Sequence, residues 1–115
     1  MWLGNSRGNS YSRSHISLNA SSDEFWSFSF DQMAQFDMPA QLQYVLTTTG
    51  SKQLSFIAHS QGTTVLLAAL SFRPELTRSL ASVVLLAPVA FSRHIQSLPF
   101  LSLSALGTDK VTTDP

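Results

Sequence analysis

The chain has 115 residues, with seven basic and seven acidic side chains, 43% apolar residues and 12% charged ones. That length allows one small domain at most, and the composition is globular, which excludes a disordered polymer. The cancelled charge gives no steering toward nucleic acid or an anionic membrane, and the absence of cysteine excludes a disulfide framework, a thiolate metal site and a thiol nucleophile.

The apolar runs at 65–70 and 83–87 are far too short for a transmembrane segment. No basic-then-apolar leader is visible, so no signal peptide is expected in these residues. So little charge on so small a chain points to surface that other parts of a larger protein, or a partner, would bury.

Trp2 and Leu3 read as the tail of a strand entering a turn region around Gly4, Asn5, Gly8 and Asn9. Residues 10–22 are rich in Ser and Asn and read as loop. Within them Asn19-Ala20-Ser21 is an N-glycosylation sequon, meaningful only in a secretory compartment. The aromatic cluster Phe25, Trp26, Phe28 and Phe30 reads as packing material and leads into a short helix near 31–35.

Asp37 suits the N-cap of a helix over 38–49, with Pro39 in its first turn. Met38, Leu42, Val45 and Leu46 make one apolar face, and Gly50 fits the stop. Residues 54–58 form a short apolar run and read as a buried parallel strand. Residues 61–71 read as a helix, apolar all round at 65–70 and therefore covered on more than one side. Arg73-Pro74 breaks it, and residues 75–80 add a helical turn. Residues 82–87 read as a second buried strand, ending at Pro88.

This alternation predicts an α/β fold with few parallel strands flanked by helices. Two strands and a remnant are too little sheet for a comfortable independent domain.

The chemistry concentrates in Ala58-His59-Ser60-Gln61-Gly62. Small-x-Ser-x-Gly between a strand and a helix is a nucleophile elbow. The sharp turn strains the serine and lifts its hydroxyl off the sheet. Strand and helix then approach closely, which calls for small residues two before and two after it. Ser60 is thus the candidate nucleophile. The Gln61 backbone N–H, at the helix N-terminus, is a candidate oxyanion donor. One such donor is worth about 3–4 kcal/mol in a transition state.

Further motifs stand in order along the chain. They are Trp2-Leu3-Gly4-Asn5-Ser6-Arg7-Gly8-Asn9, Glu24-Phe25-Trp26-Ser27-Phe28-Ser29, Asp31-Gln32-Met33-Ala34, Asp37-Met38-Pro39-Ala40, His59-Ser60-Gln61-Gly62-Thr63-Thr64 and Leu86-Ala87-Pro88-Val89-Ala90. Together they resemble the acid lipase family of α/β-hydrolases, which contains lysosomal acid lipase and gastric lipase, over about residues 2–90. Two departures are Ala58 for a usual glycine and Gln32 where an acidic residue is more usual. The resemblance implies a serine ester hydrolase acting on neutral lipid esters such as triacylglycerols or steryl esters. It implies no cofactor and no metal, and a secreted or lysosomal setting. The resemblance further implies an incomplete α/β-hydrolase core, few parallel strands flanked by helices, with residues 1–90 as the partial core carrying the nucleophile elbow and 91–115 as the start of a cap or a disordered tail. The cap over a lipid-binding cleft would begin after Val89.

A serine hydroxyl needs a base and an orienting acid, which follow it in this fold. His59 abuts Ser60 but points elsewhere, so a structural role beneath the elbow is expected. His94 lies where a cap would begin, and His15 precedes the elbow in a polar loop. Asp109 and Asp114 have no histidine after them. Asp31 and Asp37 are explained as helix-start residues, and Arg7 as a tie for its turn. The expectation is therefore a chain that carries the nucleophile without its triad partners and is inactive alone. The competing readings are a non-enzymatic interaction module that binds through an exposed strand edge, and a thioesterase or serine peptidase of the same fold.

Overall fold

The computed structural model describes residues 1–91. The order is an irregular N-terminal segment, a 3-10 turn at Asp23–Trp26, α1 (Phe30–Gln32), a π-turn at Met33–Asp37, α2 (Met38–Thr49), β1 (Leu54–His59), α3 (Gln61–Phe72), a 3-10 segment at Pro74–Ser79, and β2 (Leu80–Leu86). The expectations for 91–115, for His94 and for Asp109 and Asp114 fall outside the described residues, except for Phe91 itself.

β1 and β2 pair in parallel as a two-stranded sheet, with α3 as the crossover. The register runs Leu54 to Leu80 and then Ser55 to Ser82, so Ala81 is passed over as a bulge. The side-chain period of two sends Phe56, Ala58, Val83 and Leu85 to one face, and Ile57, His59, Val84 and Leu86 to the other. The first face meets α3: Ala58 is buried, and Phe56 and Leu85 pack on the core. The second is open, with Ile57 68% exposed. The sequence calls for buried strands. Their near-continuous apolar sequence suits cover on both faces, and the described residues supply it on one only.

α3 lies between the sheet and the remaining helices. Leu66 and Ala69 are fully buried, and with Val65 they meet Met33, Ala34, Met38 and Leu42 in a single core cluster. This is the cover on more than one side that the all-round apolar stretch demands. The π-turn, closed by the Met38 N–H donating to the Met33 carbonyl, brings Met33 and Met38 to the same core although they are five residues apart.

Helix α1 starts at a capping box. Ser29 Oγ accepts from the Asp31 N–H at 3.1 Å, and Gln32 Oε1 accepts from the Ser29 N–H at 2.8 Å. The cap needs an oxygen at position 32, and an amide supplies one as a carboxylate would. Gln32 therefore replaces an acidic residue without losing the cap.

Two further expectations are corrected. Trp2 and Leu3 are not in a strand; both are exposed, and Trp2 stacks edge-on against Tyr44 at 5.8 Å. A strand needs a ladder partner, and β1 and β2 pair only with each other among the described residues. Asp37 is not an N-cap: its backbone is helical (φ −67°, ψ −49°) because the π-turn runs on into α2, and its side chain caps no helix N–H. Its carboxylate is engaged by Arg7 instead. Arg7 Nε and Nη2 donate to Oδ1 at 2.9 and 2.6 Å, and the Arg7 backbone N–H donates to Oδ2 at 3.0 Å. The guanidinium also lies over Phe28 and Phe36. Arg7 thus fastens the N-terminal loop across to the π-turn.

Candidate active site at the strand–helix turn

Ser60 joins β1 directly to α3, with φ 50° and ψ −119°. A non-glycine residue at positive φ costs about 1–3 kcal/mol and persists only where its surroundings impose it. Three hydrogen bonds do so. The Ser60 N–H donates to the Leu86 carbonyl at 3.0 Å, which extends the parallel ladder one residue past β1. The Ser60 carbonyl accepts from the Thr63 N–H at 2.9 Å and from Thr63 Oγ1 at 2.6 Å. Ser60 itself is exposed, so the strained turn presents its hydroxyl to solvent at the end of the sheet.

Thr63 is the one buried polar residue among the described ones and is fully enclosed. While its hydroxyl donates to Ser60, it accepts from the Val89 N–H at 2.9 Å. Thr64 Oγ1 donates to the Val89 carbonyl at 2.7 Å. Val89 is held by both its backbone groups against the first turn of α3. The chain reaches this position through Ala87, a second non-glycine residue at positive φ (46°), followed by Pro88. The segment after β2 is thereby clasped to the elbow. The sequence offered one sign of this: two threonines in the first turn of an apolar helix, where hydroxyls bond backbone groups. Their partner, some 25 residues away, carries no local signal.

The pair Ala58 and Gly62 behaves as the spacing argument requires, with a refinement. Ala58 is 3% exposed, and a Cβ placed on Gly62 would meet its Cβ at 3.8 Å, an ordinary contact. One methyl group at each position fits, which accounts for the tolerance of Ala58 in place of glycine. Gln61 is the first residue of α3. Its N–H precedes the intrahelical ladder and is among the four donors a helix leaves open.

His59 does not lie beneath the elbow. It is exposed, on the sheet face away from α3, because strand alternation puts it opposite its neighbour Ala58. His15 is engaged within the N-terminal segment: its Nδ1 accepts from the Ser17 and Leu18 N–H groups at 3.1 and 2.9 Å, and its ring meets Phe25 edge-on. Asp31 sits in the first turn of α1 and Asp37 binds Arg7. Among the described residues, no imidazole and no carboxylate is hydrogen-bonded to the Ser60 hydroxyl. The Glu24 carboxyl is held below the usual carboxylate range by hydrogen bonding to its own backbone N–H and to Ser22. No helix among the described residues is long and apolar enough to cross a membrane.

A sequence model of the alpha/beta hydrolase fold matches residues 1–107. Human lipase member K is 44% identical over 106 residues, which cover 92% of this chain and 26% of that protein. Rat lysosomal acid lipase/cholesteryl ester hydrolase is 46% identical over 106 residues, again 92% of this chain and 26% of its own length. Human gastric triacylglycerol lipase is 45% identical over 98 residues, covering 85% and 25%. The chain spans about a quarter of the length of these relatives. With its parallel strands, crossover helix and strained strand-to-helix serine, the chain belongs to the α/β-hydrolase fold family, as a partial core similar to the acid and gastric lipases.

Proposed function

We propose that Ser60 is the nucleophile of a lipase-type serine ester hydrolase acting on neutral lipid esters such as triacylglycerols or steryl esters. The observation that carries the reading is the backbone of Ser60, at φ 50° and ψ −119° between β1 and α3. The Ser60 hydroxyl oxygen attacks the ester carbonyl carbon as a base removes its proton. The carbonyl oxygen becomes an oxyanion that accepts from the Gln61 N–H. Collapse of the intermediate expels the alcohol, which takes the proton from the base, and water then attacks the acyl-Ser60 carbonyl to release the acid and restore the serine. The base and its orienting acid come from residues beyond those described here, following Ser60 in this fold's order. The 115-residue chain is on this reading inactive alone, and the active protein is a longer polypeptide that is secreted or lysosomal.

A fluorophosphonate probe tests this on the polypeptide that includes the flanking coding sequence. Rapid labelling that disappears in Ser60→Ala supports the assignment. Labelling that survives the substitution, or a folded wild-type protein that never labels, overturns it and favours an interaction module. Turnover of thioesters or peptides above that of lipid esters would move the substrate class but not the nucleophile. Ester hydrolysis at lipase rates by the purified 115-residue chain would overturn the proposed inactivity.

A further inference from the structure

We infer that Asn19 is an acceptor site for an N-linked oligosaccharide. The inference rests on the secreted or lysosomal compartment proposed above and not on the role of Ser60.

Asn19-Ala20-Ser21 satisfies the acceptor pattern, with no proline in the middle position. Many such triplets are useless because folding hides them or spends their amide nitrogen on another contact. Here both ends of the triplet are exposed. Asn19 Oδ1 accepts from the Ser21 N–H and from Ser21 Oγ, both at 2.9 Å. The two residues that define the acceptor therefore already touch, and the contact uses the amide oxygen alone. Nδ2, the atom that would be modified, has no partner among the described residues.

The turn is also fixed. The Ser22 N–H donates to the Asn19 carbonyl at 2.9 Å, and Trp26 Nε1 donates to the Ala20 carbonyl at 2.9 Å. The middle residue is thus anchored to the aromatic cluster while Asn19 stays outside. A glycan on Nδ2 would displace no hydrogen bond among the described residues. It would also stand beside apolar side chains that nothing else covers: Ile16 is fully exposed and Leu18 is 37% exposed, and both line one shallow concavity with Asn19. A bulky, hydrated group at that spot offsets their exposure.

The reaction transfers an oligosaccharide from a lipid-linked pyrophosphate donor. Nδ2 bonds to the anomeric carbon, the bond from that carbon to the phosphate oxygen breaks, and the lipid pyrophosphate leaves with the electron pair. Nδ2 gives up one proton to a basic group of the transferase.

The test translates the 115-residue chain, behind a cleavable secretory leader, into microsomes, and scores only protease-protected chains. The leader supplies entry, so the site is judged independently of the native compartment. Protected wild-type chains should carry a mass increment that an N-glycosidase removes. Asn19→Gln and Ser21→Ala should lack it, and Ser21→Thr should keep it. Protected wild-type chains without the increment, or an increment that persists in Asn19→Gln, would overturn the inference. Failure of fluorophosphonate labelling, by contrast, bears on Ser60 alone.

Discussion

Two polar clasps hold irregular chain onto helical elements in this molecule, and they are built from opposite materials. Arg7 and Asp37 use a charged fork, with side chains 33% and 14% exposed. Thr63 and Thr64 use neutral hydroxyls on Val89, and Thr63 is completely enclosed. The first joins segments 30 residues apart and leaves ordinary backbone behind it. The second sits between two non-glycine residues at positive φ, Ser60 and Ala87. Guanidinium–carboxylate pairs tolerate partial solvent, because each charge keeps some hydration. A strained turn needs donors that cannot be traded for water, and a buried hydroxyl that both donates and accepts provides them. The contrast separates a clasp that places a loop from one that maintains a conformation.

The largest effect is expected at the charged clasp. Asp37→Ala leaves the Arg7 side chain and its backbone N–H without their acceptor, and should destabilise the chain by about 2–3 kcal/mol. Urea unfolding measures it. Arg7→Lys keeps the charge but loses the fork and the planar packing over Phe28 and Phe36, so it should fall between wild type and Asp37→Ala. A loss under about 0.5 kcal/mol for Asp37→Ala, the range of a featureless surface site, would place this pair with solvent-screened ion pairs and end the comparison.

At the neutral clasp, Thr63→Val is close in shape but strands the Val89 N–H and removes one of two donors to the Ser60 carbonyl. A cost of about 1–2 kcal/mol is expected, with recovery in Thr63→Ser. The sharper readout is hydrogen exchange of the Val89 amide, which Thr63→Val should accelerate far more than amides within α2. Equal acceleration everywhere would mean that Thr63 supports the core in general and not the turn.

The two clasps were unequally legible in the sequence. Arg7 reads from sequence as a tie for its own turn, and in the structure the tie reaches Asp37. Asp37 in turn reads as a cap, because Asp before Met38-Pro39 has the chemistry of one. The π-turn that carries the helix through it leaves no periodic trace in five residues. The threonine clasp was invisible because Val89 accepts and donates with its backbone, which any residue has. The strands were legible as elements, since apolar runs at 54–58 and 82–87 mark β1 and β2. Their burial was not, because the sequence reports which surface is apolar and not which residues are present to cover it. The elbow was the most legible feature, since its backbone angle follows from steric demands packed into five consecutive residues.

The smallest expected effect tests those steric demands. Close approach of strand and helix compels the residue two after Ser60 to be small, which in the strict case means glycine. In this chain the space is less severe: a methyl group on Gly62 would stand 3.8 Å from the Ala58 Cβ. Gly62 lies within α3, where alanine is favoured over glycine by about 0.8–1 kcal/mol. Gly62→Ala should therefore raise stability slightly, by up to about 1 kcal/mol in urea unfolding, and leave the neighbouring clasp intact. Gly62→Val should reverse the sign, because its branches enter the gap between strand and helix. Destabilisation by alanine itself would mean that the strand and helix stand closer at the elbow than this contact allows. The close-approach requirement would then apply to Gly62 in full, with Ala58 already occupying the last available space.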